Sequence, residues 1–375
     1  MKDPLVGLGA IEIVRDLRAQ DARGRGVIGR AANCDRAPVL DRGQECARVR
    51  AVVGARAAHD ASARFAGGIE RHDCYGDSTG LCTTVRFLYP SCVPAHAPIP
   101  TATLADGTKV PALGLGTWMM GERREHAARE IAALRAGVDA GMTLIDTAEM
   151  YGDGGAERVV SSAVGARRDA VFIVSKVSPH NASAKGTVAA CERSLARLRT
   201  DRIDLYLLHW RGRHPLAETV DAFERLRASG KIVRWGVSNF DVDDMQEVWS
   251  LSDGAKCTVN QVLYNLSERG IEWKLRALCQ QHDVAVMAYS PLHQGALVSD
   301  PKLATVAATL GVAPAQLALA WLLAQRNVIV IVKSSNRDHV AQCRAAADIR
   351  LDSDALAALD AAFPPPRRAR SLSVI

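Results

Sequence analysis

Short apolar runs alternate with amphipathic helical patterns along the chain from residue 101 onward. The runs are rich in Val, Ile and Leu, which is typical of parallel strands covered on both faces. Eight such runs favour closure of the sheet into a (β/α)8 barrel over an open sheet. The runs are ALGLG at 112–116, MTLIDT at 142–147, VFIVSK at 171–176, IDLYLLH at 203–209, IVRWGVS at 232–238, CTVNQV at 257–262, VAVMAYS at 284–290 and NVIVIVK at 327–333.

The segments between the runs predict helices, and the segment before the first run predicts a hairpin. Asp106-Gly107 between two β-prone stretches is a turn signal, which indicates a β-hairpin capping the barrel. One helix is expected to open at Pro215 and to end at Gly230. Other helices are expected near 301–310 and 314–325, with two more near the end of the chain. The inward faces of the remaining helices are predicted to carry Ile131, Leu134 and Val138, then Val188, Cys191, Leu195 and Leu198, then Ile271, Leu275 and Leu278.

Residues 1–98 differ from the remainder because no apolar pattern persists in them, and they contain 13 Arg and one Lys. We expect a disordered or loosely attached extension, or a stretch translated from a mis-assigned start. A small regulatory or targeting domain is the alternative. The Pro-rich stretch VPAHAPIP, ending at Pro100, marks the predicted boundary with the barrel domain at 101–375.

Charge and cysteine content argue against several classes of function and site. Residues 1–100 carry 14 basic and 11 acidic residues and the rest of the chain 33 and 30, with the two signs intermixed. This distribution argues against nucleic-acid binding. The nine cysteines form no CxxC pair, so neither a metal site nor a disulfide framework is expected. No run has the 18 or so apolar residues of a membrane span, and a cytoplasmic protein is the default expectation.

Polar side chains stand at the ends of three neighbouring predicted strands, where a barrel places its chemistry. These are Asp146 and Tyr151 after the second run, Lys176 at the end of the third and His209 at the end of the fourth. Each has a simpler explanation alone: a turn former, a loop aromatic, a solvated strand exit and a rim histidine. Together they suggest a proton donor, because Lys176 can lower the pKa of Tyr151, Asp146 can hold the lysine, and neutral His209 can orient a carbonyl.

The same stretches resemble the aldo-keto reductase family. The resemblance covers about 101–365 and rests on DTAEMYGDG at 146–154, VSK ending at Lys176, LYLLHW ending at Trp210 and WGVSNF at 235–240. It implies that Tyr151 is the general acid, that Lys176 and Asp146 tune it, and that His209 orients the carbonyl. The missing nucleophile is then a hydride from NADPH.

The resemblance also implies cofactor-binding positions. Ser238, Asn239 and Gln261 correspond to a carboxamide-binding set, and Tyr289 to the residue that stacks on the nicotinamide. The positions implied near the pyrophosphate are Ser290 and Leu292, and those beside the cofactor at the end of the first strand are Gly116, Thr117 and Trp118.

VKSSNRDHV, beginning at Val332, resembles the family's site for the adenosine 2′-phosphate. The implied ligands are Lys333, Ser334 and His339, which favours NADPH over NADH. Val332 stands where a proline is usual, and Cys343 where an asparagine often contacts adenine.

The substrate is expected to be a small aldehyde or ketone, because the loop WRGRHP and the tail PPPRRARSLSVI are short. Trp118, Met150 and Trp210 are the predicted substrate contacts, and the pattern looks most like bacterial reductases of methylglyoxal and related aldehydes. Two alternatives stay open: an aldolase-type enzyme with a Schiff base on Lys176, and a non-catalytic NADPH-binding redox sensor. We expect a monomer.

Overall fold

The structure is a computed structural model that describes residues 96–375. Residues 1–95 lie outside the described part, and so does the predicted extension at 1–98 apart from its last three residues. The described chain starts against the barrel: the backbone N–H of Ala97 donates to Asp348 Oδ1 (3.0 Å), and Arg344 donates to the Ala97 carbonyl.

A closed parallel barrel of eight strands forms the centre of the fold, in the order β10-β3-β4-β5-β6-β7-β8-β9. Consecutive strands are neighbours, and β10 closes the ring by pairing with β3. The predicted (β/α)8 barrel is therefore confirmed. The barrel strands are β3 (Leu113–Gly116), β4 (Leu144–Asp146), β5 (Phe172–Val177), β6 (Ile203–Leu208), β7 (Ile232–Ser238), β8 (Cys257–Leu263), β9 (Ala285–Tyr289) and β10 (Val328–Val332).

The predicted hairpin is confirmed as β1 (Thr101–Thr103) paired antiparallel with β2 (Lys109–Pro111). Its buried side chains Ala102, Leu104 and Val110 belong to the same apolar cluster as inward-facing residues of the barrel strands. The Thr103 N–H donates to Asn327 Oδ1 just before β10 begins (2.9 Å). The hairpin therefore closes the end of the barrel at which the strands start, and chemistry is left to the opposite end.

In the part of the chain that the structure describes, ten α-helices surround the barrel, and their apolar faces pack on the outward side chains of the strands to form the larger core. The helices are α1 (Ala127–Asp139), α2 (Gly155–Val164), α3 (Ala184–Leu198), α4 (Leu216–Ala228), α5 (Val242–Ser250), α6 (Leu275–Gln281), α7 (Pro301–Thr309), α8 (Pro314–Leu323), α9 (Arg337–Ala345) and α10 (Ser353–Ala362). Within the described residues, no single helix is long and apolar enough to cross a membrane, although α7 and α8, bent by 82°, would pass as a pair on length and composition.

One predicted helix differs from the structure. The pattern at 271–278 predicts a continuous helix, but Gly270–Trp273 forms a 3-10 turn, and α6 begins only at Leu275. Lys274, with φ −145°, interrupts the two. The break rotates the face of α6, so Cys279 is buried while Leu278 is only half-buried.

Candidate active site

A cleft of about 750 Å³ opens at the carboxyl ends of the barrel strands. Every strand end that carries a predicted site residue contributes to it or lies directly beneath it. The predicted residues that line the cleft are Gly116, Thr117, Trp118, Asp146, Met150, Tyr151, His209, Trp210, Ser238, Asn239, Gln261, Tyr289, Ser290, Leu292 and Lys333. The barrel thus gathers residues that are up to 217 positions apart in the chain into one site.

A buried ion pair forms the base of the cleft. Lys176 is fully buried, and its Nζ donates to both carboxylate oxygens of Asp146 (2.7 and 2.8 Å) and to the Thr147 carbonyl (3.0 Å). Burial alone would lower the pKa of Lys176, but the adjacent Asp146 charge more than offsets it, so the lysine pKa lies above its usual value. A charged lysine cannot attack a carbonyl, which argues against the Schiff-base alternative.

Tyr151 lies directly above this pair, with its hydroxyl 3.5 Å from Lys176 Nζ. The expectation that Lys176 would leave Tyr151 with a lowered pKa is wrong. Burial raises the tyrosine pKa by more than the lysine lowers it, and the Asp146 charge adds to the increase. The phenol is therefore protonated at neutral pH, which is the form a proton donor needs.

His209 completes this end of the cleft. Its ring packs edge-to-face on Tyr151 with the ring centres 5.6 Å apart, and its backbone N–H donates to the Val177 carbonyl (3.0 Å). Burial, together with the Lys176 charge, lowers the histidine pKa to about 2, so the imidazole is neutral as predicted. Nδ1 is buried and has no hydrogen-bond partner among the described residues.

The predicted carboxamide-binding residues are connected to this centre. Ser238 and Gln261 are register partners on β7 and β8, and Gln261 Nε2 donates to Asp146 Oδ1 (2.8 Å). Asn239 has φ +60°, a strained conformation for a residue other than glycine, and its Oδ1 accepts a hydrogen bond from the Tyr289 hydroxyl (2.8 Å). Gln261 uses its amide nitrogen on Asp146, which leaves its Oε1 available towards the cleft.

The two walls at the mouth of the cleft are apolar. Trp118, Met119 and Met150 are each about half exposed (48, 52 and 46 %), and Trp210 packs with its ring centre 4.9 Å from that of His209. Thr117, by contrast, is fully buried and donates to the Asp146 carbonyl (3.0 Å). Thr117 therefore fixes the strand end rather than offering a polar group to the cleft.

The predicted phosphate-binding residues are only partly in the cleft. Lys333 lines it, whereas Ser334 and His339 lie outside its lining. Asn336 caps α9 by accepting from the backbone N–H of Asp338 (2.8 Å) and of His339 (3.4 Å). His339 is exposed in the first turn of α9, while Cys343, on the same helix, is buried in the core.

Several residues of the cleft were not among those predicted from the sequence. The loop after β9 has positive φ at Ser290, His293 and Gln294, which is strained backbone at a functional position. No sequence pattern predicts these conformations, and none predicts that Ile375, at the far end of the chain, lines the cleft. The additional lining residues are Met119, Glu122, Gly152, Pro291, Gln294, Gly295, Ile331, Val332 and Ile375. Within residues 96–375, no group of three His, Cys, Asp or Glu side chains could hold a metal ion.

The profile of the Aldo/keto reductase family matches residues 112–363. The chain is 49 % identical over 271 residues to Methylglyoxal reductase YeaE of Escherichia coli, which covers 71 % of this chain and 95 % of that protein. It is 33 % identical over 262 residues to Glyoxal reductase of Bacillus subtilis, covering 70 % and 92 %.

A solved structure of the same family is also similar to this chain. The aldo-keto reductase of Klebsiella pneumoniae in complex with NADPH superimposes with a TM-score of 0.72 at 49 % identity, over 74 % of this chain and all of that one. The residues matched by the family profile, 112–363, include all eight barrel strands. The chain belongs to the aldo/keto reductase family.

Proposed function

We propose that this protein reduces small aldehydes and ketones to alcohols with NADPH, and that Tyr151 donates the proton. The observation that carries the proposal is the Tyr151 hydroxyl 3.5 Å from a buried, charged Lys176, beside a neutral histidine, inside a cleft. The similar E. coli and B. subtilis proteins are named for reduction of methylglyoxal and glyoxal. Both compounds are small carbonyls.

The cleft fits a nicotinamide cofactor. Gly116 forms part of its floor, where an added Cβ would stand 3.0 Å from Ile331 and 3.6 Å from Lys333, so a side chain there would fill the space. Gln261 Oε1 and Asn239 Oδ1 can accept hydrogen bonds from a carboxamide, whereas Asn239 Nδ2 already donates to the His209 carbonyl (3.2 Å) and to Ser238 Oγ (3.3 Å). The Tyr289 ring can stack on a flat ring. Ser290 accepts from the Gln294 N–H (3.2 Å), which leaves its own proton available to an anion. When bound, NADPH supplies the hydride.

Each residue near the substrate oxygen has a separate task. Tyr151 gives its proton to the oxygen as negative charge develops there. Lys176, held by Asp146, stabilises the phenolate that results, since an opposite charge within about 4–6 Å favours the ionised form. Neutral His209 can donate a hydrogen bond to the same oxygen without competing as an acid. The alcohol leaves, and Tyr151 regains a proton from solvent.

The residues at the outer end of the cleft support NADPH over NADH. Lys333 lines the cleft, and Arg337, exposed at the start of α9, is a second cation near the helix N-terminus. Helix N-termini and cations together bind phosphate. We propose Lys333, Ser334 and His339 as the 2′-phosphate ligands, with Arg337 added to the set.

The mouth supports a small substrate that carries an apolar group. Trp118, Met150 and Trp210 present aromatic and thioether surface. The charged side chains that line the cleft outside the Asp146 pair, Glu122 and Lys333, are of opposite sign. Among residues 96–375, no cation that lines the cleft at the Tyr151 end is free to bind a substrate carboxylate, because Lys176 is paired with Asp146. A monomer in the cytoplasm stays a prediction.

The test is the aldehyde-dependent loss of NADPH absorbance by the purified protein. We expect turnover of methylglyoxal and of an aromatic aldehyde with NADPH, and slower turnover with NADH at equal concentration. NADPH binding without turnover would favour the redox-sensor alternative. A substrate adduct trapped by borohydride without nicotinamide would instead support the Schiff-base enzyme.

A further inference from the structure

Two buried carboxylates bracket Tyr151 along the chain, and neither lines the cleft. Glu149 lies two residues before the tyrosine and is 9 % exposed, whereas Glu157 lies six residues after it in α2 and is fully buried. Burying a carboxylate is costly, and replacing a buried ion pair by apolar residues is often neutral or stabilising. Fold stability alone therefore does not account for placing both here.

Glu149 binds the segment that follows β5. Its Oε1 accepts hydrogen bonds from the Ser178 backbone N–H (2.8 Å) and from Asn181 Nδ2 (2.9 Å). Its own N–H donates to the Lys176 carbonyl (3.3 Å). Arg193, half exposed, approaches its other oxygen at 3.5 Å. Glu149 thus holds the first half of the Tyr151 loop to the chain just beyond Lys176.

Glu157 binds β5 from the other side of Lys176. The Ser175 hydroxyl donates to its Oε1 (2.7 Å), and Arg197 of α3 donates to its Oε2. The Arg197 side chain also packs on Gly154, where an added Cβ would lie 2.4 Å from Arg197 Cδ. The second half of the loop is tied to the helix as well, because the Ala156 N–H donates to the Tyr151 carbonyl (3.2 Å).

The two attachments mirror each other. Glu149 in the loop and Glu157 in α2 flank Tyr151 along the chain, and their partners, Ser178 just after β5 and Ser175 within β5, flank Lys176. We propose that Glu149 and Glu157 form a carboxylate clamp that positions the Tyr151 hydroxyl against Lys176. The clamp acts through the tyrosine and not on substrate, so its members are positioning residues. This inference rests on the proposed reductase function.

Loss of the clamp should increase the separation between Tyr151 and Lys176 without moving the proposed cofactor-binding residues at the ends of the other strands. A displacement of about 1 Å at a reacting group can reduce the rate by roughly 100-fold. Lys176 lowers the Tyr151 pKa, so a weaker contact should raise that pKa further. The alkaline fall in the reduction rate, caused by ionisation of the donor, should then move to higher pH.

The experiment compares Glu149→Ala, Glu149→Gln and Ser175→Ala with Glu192→Ala. Gln at 149 keeps an oxygen that accepts from Ser178 and Asn181, so it should rescue the Ala variant. Glu192 is an exposed carboxylate on α3 paired with Lys231, which makes it the matched control. The readouts are kcat against pH, KM for the aldehyde, the NADPH Kd, and the Tyr151 pKa from ultraviolet difference titration against Tyr151→Phe.

For Glu149→Ala we expect kcat to fall about 10- to 100-fold, the Tyr151 pKa to rise, and the NADPH Kd to stay within about twofold. Ser175→Ala should show the same changes at smaller size, and it decides the matter if Glu149→Ala fails to fold. Unchanged kcat and tyrosine titration, or a parallel loss of NADPH binding, would overturn the clamp. If wild-type protein lacked turnover, the proposed function would fail, while the titration would still test the positioning of Tyr151.

Discussion

The inner end of the cleft, at Tyr151 and Lys176, and its outer end, at Lys333, differ in whether their charged side chains are paired within the protein. At the inner end, Lys176 is fully buried, and Asp146 accepts hydrogen bonds from Lys176 and Gln261. At the outer end, Lys333 is exposed and lines the cleft. Partial loss of hydration lowers the Lys333 pKa, which the charges of Glu130 and Glu122 oppose. The inner end is preorganised for a reaction, whereas the outer end is left open for an anionic ligand.

The largest effect should come from removing the proton donor. Tyr151→Phe keeps the ring and its packing on His209 but removes the hydroxyl. Since general acid catalysis contributes roughly 100- to 10,000-fold, kcat for aldehyde reduction should fall by about that factor. Steady-state rates at saturating NADPH measure it. Tyr206→Phe is the control and should retain activity, because the Tyr206 hydroxyl on β6 is buried and has no hydrogen-bond partner within residues 96–375.

Breaking the inner ion pair should come next, and it should affect stability as well as turnover. Lys176→Met leaves Asp146 buried without its cation, which typically costs about 3–5 kcal/mol of unfolding free energy. Denaturant unfolding measures this cost. Lys231→Ala breaks an exposed pair with Glu192 and should cost less than about 1 kcal/mol. Equal costs for the two variants would contradict the claim that the inner pair is a distinct, desolvated unit.

A substitution at the outer end should weaken cofactor binding and leave turnover nearly unchanged. Lys333→Ala should weaken NADPH binding by about tenfold, or roughly 1.4 kcal/mol, because one cation near the phosphate is lost. kcat at saturating NADPH should stay within about twofold, and NADH binding should hardly change. Fluorescence titrations with both cofactors measure this selectivity. A similar loss for NADH would remove Lys333 from the 2′-phosphate site.

The last effect concerns the dependence of stability on pH. The His209 pKa is lowered from 6.5 to about 2 in the folded protein, so the unfolded chain binds a proton more readily. This residue's stabilising contribution is present above pH 6.5 and is lost as the pH falls towards 2. His209→Gln should therefore lessen the acid loss of stability, by at most about 1.4 kcal/mol per pH unit. Denaturant unfolding of the wild type and of His209→Gln at several pH values below 6.5 measures this difference. The same dependence of unfolding free energy on pH in both proteins would contradict it.

Sequence patterns predicted the barrel and the position of its cleft because both follow local rules. Apolar runs mark the buried strands, and polar residues at their ends, such as Asp146 and His209, mark the mouth. The direction of the Tyr151 pKa was not predictable, since it depends on how much burial offsets the Lys176 charge. That balance exists only after folding.

The supporting contacts were also invisible in the sequence. Glu149 looks like an ordinary loop acid and Glu157 like a helix surface acid until the fold brings Ser178 and Ser175 to them. Leu278 matched the helical period but lost its inward position because Lys274 interrupts the helix. Ser290 and Gln294 have positive φ, but serine and glutamine rarely adopt this conformation, so the residue types do not predict it.

The dissociation constant of NADPH for Tyr151→Phe tests the separation of the two ends most directly. If the inner end supplies the proton and the outer end holds the cofactor, the variant should bind NADPH within about twofold of wild type while its turnover is lost. A Kd weakened as strongly as turnover would show that Tyr151 supports the cofactor site, and it would contradict the assignment of proton donation to this residue.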